Sequence, residues 1–137
     1  MFVRAFVAAL AFSFTASSLF AADEENPIVT LVKSKVKDKS KPFSMLVTLK
    51  VKAGQEKALE EAFGPCVAAT RKEPGCVAYQ LNRDLDHPNV YVMFEHFKSV
   101  PAIEEHAKSK HVAALLEKIL PLLEAPPEAK ILGVIGE

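Results

Sequence analysis

The stretch CVAYQLNRDLDHPNVYVMFEHF, from Cys76 to Phe97, contains the pattern that decides the fold. Its two ends, CVAYQLNR and NVYVMFEHF, are rich in β-branched and aromatic residues, and the polar segment DLDHP lies between them. Two such runs separated by a short segment with Asp and Pro are typical of a β-hairpin. The sequence therefore predicts two strands joined by a loop over residues 84–88.

Helix and strand patterns flank this hairpin on both sides. FSMLVTLKV, residues 43–51, alternates so that one strand face is fully apolar, and residues 55–72 carry apolar side chains at helical spacing. Ser99 and Ser109 can each cap a shorter helix, and residues 129–135 predict a last strand. The order β-α-β-β-α-(α)-β predicts an α+β class, ferredoxin-like split βαβ fold with helices on one face of an antiparallel sheet.

The second strand of the hairpin is apolar on both faces. One face carries Val90, Val92 and Phe94, and the opposite face carries Tyr91, Met93 and Phe97. The helices can cover only one of these faces, so the other needs a second sheet, and a second copy of the chain is the simplest source. We therefore expect a homodimer whose sheets pack face to face.

The start of the chain has the composition of a secretory signal peptide, assigned to residues 1–22. A positive charge at Arg4 precedes an apolar run from Ala5 to Phe14, and small residues stand at Ala21 and Ala22. We expect an exported protein, periplasmic or extracellular, with no membrane span once this peptide is removed. Lys+Arg and Asp+Glu number 17 each in the 137 residues. Such a near-neutral charge argues against nucleic acid as a partner.

Residues 23–42 separate this leader from the domain expected over residues 43–137. Lysines occupy every second position from Lys33 to Lys41, which would place their ammonium groups on one face of a strand. Two interpretations stay open, a solvated lysine-rich linker or an extra edge strand with protective lysines.

The two cysteines also allow two interpretations. Export to an oxidising compartment makes a bond between Cys66 and Cys76 possible. Cys66 shares a helical stripe with Leu59 and Phe63, which favours a buried free thiol instead.

Residues 72–115, KEPGCVAYQLNRDLDHPNVYVMFEHFKSVPAIEEHAKSKHVAAL, resemble the central signature of the antibiotic biosynthesis monooxygenase (ABM) domain family. The matching features include Pro74-Gly75-Cys76, the loop over residues 84–89 and the His106…Ser109…His111 spacing. The resemblance covers about residues 43–135 and implies a dimeric α+β barrel. Its members include cofactor-free monooxygenases of quinols and aromatic polyketides, haem-degrading enzymes and a sugar-phosphate isomerase. A shared fold does not select among these activities.

The resemblance leads us to predict an exported, cofactor-independent monooxygenase that acts on quinol-type or other electron-rich aromatic molecules with O₂. Such chemistry needs an apolar pocket, a base and a polar group that steadies an oxyanion. His106 is the predicted base, because histidine titrates near neutral pH, and Glu95 or His111 is expected to orient it. The side chains expected to bind substrate are Met45, Val47, Phe63, Tyr91, Met93 and Phe97.

Other functions stay open beside this one. The alternatives are a non-catalytic domain that binds a small hydrophobic ligand, and an isomerase or lyase that uses the same base without oxygen. No metal site is predicted, because residues five positions apart on one helix diverge by about 140°. A break at Ser109 is the one arrangement that would still bring His106 and His111 together.

Overall fold

A computed structural model describes residues 25–136, and the signal peptide predicted for residues 1–22 lies outside them. Within residues 25–136, four helices, four strands and a short 3₁₀ turn follow one another. In order they are α1 Pro27–Lys35, β1 Phe43–Lys50, α2 Glu56–Thr70, β2 Cys76–Arg83, β3 Val90–Phe97, α3 Val100–Ala107, α4 Lys110–Ile119, the 3₁₀ turn Leu120–Leu122 and β4 Glu128–Gly133.

The four strands form one antiparallel sheet in the order β2-β3-β1-β4. Met45 of β1 pairs with Glu95 of β3 on one side and with Ile131 of β4 on the other. The hairpin of β2 and β3 lies at one edge, as the sequence predicts. This arrangement confirms the α+β, ferredoxin-like fold, with an open sheet in the single chain.

The core lies between the sheet and the helices. Burial alternates along β3, where Tyr91, Met93, Glu95 and Phe97 are buried and the residues between them are half-buried. The same alternation in β1 buries Met45, Val47 and Leu49. The helices therefore cover one face of the sheet. The other face carries half-buried apolar residues such as Val92 and Phe94.

Two serines divide the chain after β3 into separate helices, as the sequence predicts. The Ser99 hydroxyl accepts a hydrogen bond from the Ala102 amide at 3.4 Å, which caps α3. The Ser109 hydroxyl accepts one from the Val112 amide at 3.4 Å, which caps α4. A side-chain cap satisfies an amide that the first helical turn leaves unpaired, so each serine fixes where its helix begins.

The interpretation of residues 23–42 as a linker or an edge strand is wrong over Pro27–Lys35, which form α1. The Asn26 side chain accepts a hydrogen bond from the Ile28 amide at 2.9 Å. Pro27 occupies the first helical turn, where an amide hydrogen would have no partner within the helix. Val29 and Val32, three positions apart, are buried against the core. The three-residue spacing of the buried valines therefore determines the local structure, although the lysines alternate as they would on a strand.

The described residues contain two free cysteines and no helix long and apolar enough to cross a membrane. Cys66 is buried in α2 beside Thr70, with 3.8 Å between the sulfur and the hydroxyl oxygen. Burial raises the pKa of the Cys66 thiol, so this cysteine is a core residue rather than a nucleophile.

Candidate active site

A cavity of about 80 Å³, partly open to solvent, lies between the sheet and the helices. Its walls are mainly apolar, and they include four of the six predicted substrate-binding residues, Met45, Val47, Phe63 and Met93. The polar or ionisable side chains among its lining are Asn26, Tyr79, Glu95 and His106. Charge inside such a cavity is poorly screened, so these few groups dominate its chemistry.

Tyr91 and Phe97, the other two predicted substrate-binding residues, do not line the cavity. The Tyr91 hydroxyl donates to Glu60 Oε1 at 2.7 Å and accepts from Arg83 Nη2 at 2.7 Å, at one end of β3. Phe97, at the other end, is fully buried, with its ring centroid 6.3 Å from that of Phe43 and 5.0 Å from that of His106. The cavity occupies the middle of the strand, so both side chains lie beyond its ends.

His106 lies in the last turn of α3, is 5% exposed and contributes to the cavity wall. Its Nδ1 lies 3.0 Å from Glu73 Oε2 and 3.1 Å from Glu73 Oε1. A carboxylate accepts only, so Nδ1 carries the proton in this pair and Nε2 presents a lone pair when the ring is neutral. Burial lowers the pKa of His106 below its usual value, and the attraction of Glu73 offsets this only in part. The neutral ring is therefore the dominant form at pH 7.

Glu73 joins the two histidines of the predicted site. His111 Nε2 lies 2.6 Å from Glu73 Oε1 and 3.1 Å from the Ser109 hydroxyl, and the two imidazole centroids are 6.0 Å apart. The divergence expected for one continuous helix does not apply, because the chain turns at Ser109 between α3 and α4. His111 does not itself line the cavity, so it contacts the site through Glu73.

Glu73 was not among the residues predicted from the sequence. It precedes Pro74 and Gly75 in the turn before β2, and Gly75 is what permits its position. A Cβ at Gly75 would overlap the Cβ of Ala102 in α3, so the bare glycine lets α3 pack directly on this turn. The available signal was a charged residue beside a Pro-Gly turn that opens the family signature.

Glu95 projects from β3 into the cavity wall and is 5% exposed. Its Oε2 atom is buried and has no hydrogen-bond partner among residues 25–136. Burial, with added repulsion from the Glu73 carboxylate, raises the pKa of Glu95 to about 8. The side chain is therefore a neutral carboxylic acid at pH 7, able to donate a hydrogen bond to a ligand.

Glu73, His106 and His111 also form a group with the geometry to hold a divalent metal ion. One ligand atom from each lies within 4.8 Å of the other two. Two imidazoles and a carboxylate are a ligand set that zinc and iron accept. In this structure the Glu73 carboxylate hydrogen-bonds to both imidazoles.

The fold and this site define a small α+β protein with a buried carboxyl group and a buried imidazole at an apolar cavity. Residues 42–118 match the family model described as antibiotic biosynthesis monooxygenase, which covers more than half of the chain. The chain therefore belongs to the antibiotic biosynthesis monooxygenase (ABM) family. This membership confirms the resemblance stated from the sequence.

Individual proteins show the same similarity. A protein of Synechocystis, sll1783, is 29% identical over 70% of this chain, and the match spans 65% of the length of that relative. "Putative monooxygenase Rv0793" of Mycobacterium tuberculosis is 26% identical over 70% of this chain and 94% of its own length, and its structure superposes with a TM-score of 0.65. PA3566 of Pseudomonas aeruginosa is 26% identical over 72% of this chain and 98% of its own, with a TM-score of 0.66.

Proposed function

We propose that this protein is a monooxygenase of quinol-type or other electron-rich aromatic molecules, with no added organic cofactor. The observation that carries the proposal is one apolar cavity lined both by a neutral imidazole, His106, and by a protonated carboxyl group, Glu95. Opposite pKa shifts on two groups at one site are typical of an assigned base and acid. Membership of a family with monooxygenase-named relatives supports the same reaction type.

His106 and Glu95 have separate roles in this reaction. Nε2 of His106 removes the proton from a quinol hydroxyl, and Glu73, bonded to Nδ1, favours the resulting imidazolium by its negative charge. Glu95 donates a hydrogen bond to the oxyanion from its protonated oxygen. The apolar walls exclude water, which strengthens both interactions while the anion reacts with O₂.

The electrons come from the substrate. A quinol ring that carries a C–H group gives four electrons to O₂ and becomes a hydroxyquinone. One oxygen atom forms the new ring C–O bond, and the other leaves as water with two hydrogens from the substrate. The proton that His106 takes from the hydroxyl returns to the departing oxygen, so the base is regenerated.

Oxygen uptake tests the proposal. The purified protein should consume one O₂ per hydroxyquinone formed from benzene-1,4-diol, above the rate of autoxidation. His106→Ala should lose most of that activity, and His87→Ala, in the exposed hairpin loop, is the matched control. Turnover that persists without oxygen would indicate an isomerase instead. Binding of phenols with no turnover under any condition would indicate a ligand-binding domain.

We also propose that two copies associate through the sheet face that the helices leave uncovered. Leu46, Val92 and Phe94 lie on this face and are half-buried in the single chain. Light scattering after size exclusion should give the mass of two chains at micromolar concentration. Phe94→Lys should yield single chains, and Leu85→Lys, at a position 94% exposed in the hairpin loop, should not. A natural chain that elutes as a monomer would contradict this association.

We also propose that the protein is exported through the signal peptide. It is supported by the charge and the apolar run of residues 1–22. Mass spectrometry of the protein from its source should give an amino terminus near residue 23. An intact Met1 terminus on the whole population would contradict export by cleavage.

A further inference from the structure

Helix α1 is a wall of the cavity although it precedes the family-matched part of the chain. The family model matches residues 42–118, and α1 ends at Lys35. Asn26, Ile28 and Val29 nonetheless line the cavity together with residues of β1, β3 and α3. The wall that α1 supplies is therefore an addition to the family-matched domain.

The position of α1 is well fixed. Val29 and Val32 are 3% and 0% exposed, so their side chains anchor the helix in the core. Lys33 forms an ion pair with Glu104 of α3, next to the helical turn that holds His106. Burial of these two apolar side chains stabilises the helix in this position, so displacement of α1 would be costly.

The size of the cavity gives this wall its importance. Its volume of about 80 Å³ is roughly half of the 150 Å³ at which an apolar cavity accommodates benzene. A single ring therefore enters only with small movements of the walls or by using the open side. A fused ring system needs more room than such movements give, because close-packed side chains resist displacement.

We infer that α1 is the specificity-determining element of this site and that Ile28 restricts its ligands to single-ring aromatic compounds. Ile28 is half-buried at the cavity, whereas Val29 and Val32 hold the helix in place. The inference rests on the proposed function only in the chemical class of the ligand. It predicts a selectivity that belongs to this chain and not to the family-matched domain as such.

A pair of isomeric substitutions on α1 tests the inference in the full mature chain. Ile28→Ala removes atoms from the cavity wall, and Leu31→Ala removes the same number of carbon atoms from a half-buried side chain of the same helix that does not line the cavity. The probes are phenol and 2-naphthol, with binding measured by calorimetry. Their shared hydroxyl leaves ring size as the main difference.

The natural chain and Leu31→Ala should prefer phenol to 2-naphthol. Ile28→Ala should shift the ratio of the two dissociation constants toward 2-naphthol about tenfold or more, the discrimination that one or two methylene groups give in an apolar pocket. Equal ratios in all three proteins would overturn the inference, as would a preference of the natural chain for 2-naphthol. If Ile28→Ala fails to fold, as judged by circular dichroism, Ile28→Val takes its place with a smaller shift in the same direction.

This readout separates the inference from the proposed function, because calorimetry detects binding without turnover. A shifted binding ratio with no oxygen uptake would sustain the role of Ile28 and refute the monooxygenase. Oxygen uptake with the same ring preference in Ile28→Ala and Leu31→Ala would do the reverse.

Discussion

Glu73 and His106 stand 33 positions apart in the chain, and their side chains meet with 3.0 Å between Oε2 and Nδ1. This contact joins the turn before β2 to the last turn of α3 and occupies Nδ1 of His106. The carboxylate holds the ring in one orientation and one tautomer. In the proposed reaction Glu73 is accordingly a positioning residue for the base, and His106 is the group that touches the substrate.

Glu73→Gln should reduce kcat about tenfold or more, a part of the roughly 10²–10⁴-fold contribution of a general base. The charge of Glu73 raises the pKa of His106 against the effect of burial, so its removal should move the acidic limb of the pH profile to lower pH. A merely structural role would reduce activity without moving that limb. Glu105→Gln, at an exposed site on the same helix as His106, is the matched control.

The rate should depend on pH as a bell. The base works when His106 is neutral, so kcat/KM should rise through its pKa, which lies below the usual value of 6.5. The acid works when Glu95 is protonated, so kcat/KM should fall as the pH passes about 8. Glu95→Gln keeps an N–H donor that does not ionise there. The alkaline limb should disappear in this variant, and its persistence would assign that limb to another group.

Glu95 should also make stability depend on pH. Its folded-state pKa of about 8 lies above the usual 4.5, so the folded chain holds the proton more tightly than the unfolded chain. The free energy of unfolding therefore falls as the pH rises from 4.5 to 8. Glu95→Gln escapes this loss and should gain roughly 2–4 kcal/mol over the natural chain above pH 8, measured in urea at pH 5 and pH 9. Glu128→Gln, which is exposed, should show no such gain.

Zinc should inhibit the reaction. A zinc ion bound by Glu73, His106 and His111 would take Nδ1 of His106 and leave the proton on Nε2, the atom that must accept one. Oxygen uptake should fall with micromolar Zn²⁺ and recover on addition of EDTA. His111→Ala should weaken this inhibition. An activity that instead requires a metal ion and is lost with EDTA would refute the direct role of the imidazole as base.

Local patterns account for most of the fold. The β2–β3 hairpin, the apolar face of β1 and the two serine caps follow from side chains close together in sequence, where strand and helix periods are visible. Helix α1 was not predicted, because the alternating lysines masked two valines spaced for a helix. The sequence of this segment is compatible with a strand or a helix, and the burial of Val29 and Val32 favours the helix.

The site was accessible to sequence reasoning only in part. His106 and Glu95 stand out because an ionisable residue within an apolar stretch needs a reason to be buried. Glu73 does not, since its contact with His106 depends on how α3 packs on a distant turn. Tyr91 and Phe97 share the helix-covered face of β3 with Met93, yet they lie at the ends of the strand, and residue alternation carries no information on position along it.

Gly75 limits which substitutions the contact between Glu73 and His106 tolerates. A single methyl group at this position would press against Ala102 and lift α3 from the turn below it. This displacement of α3 would separate the His106 imidazole from the Glu73 carboxylate while the sheet stays intact. A Gly75→Ala variant should therefore keep its sheet and lose the contact between Glu73 and His106.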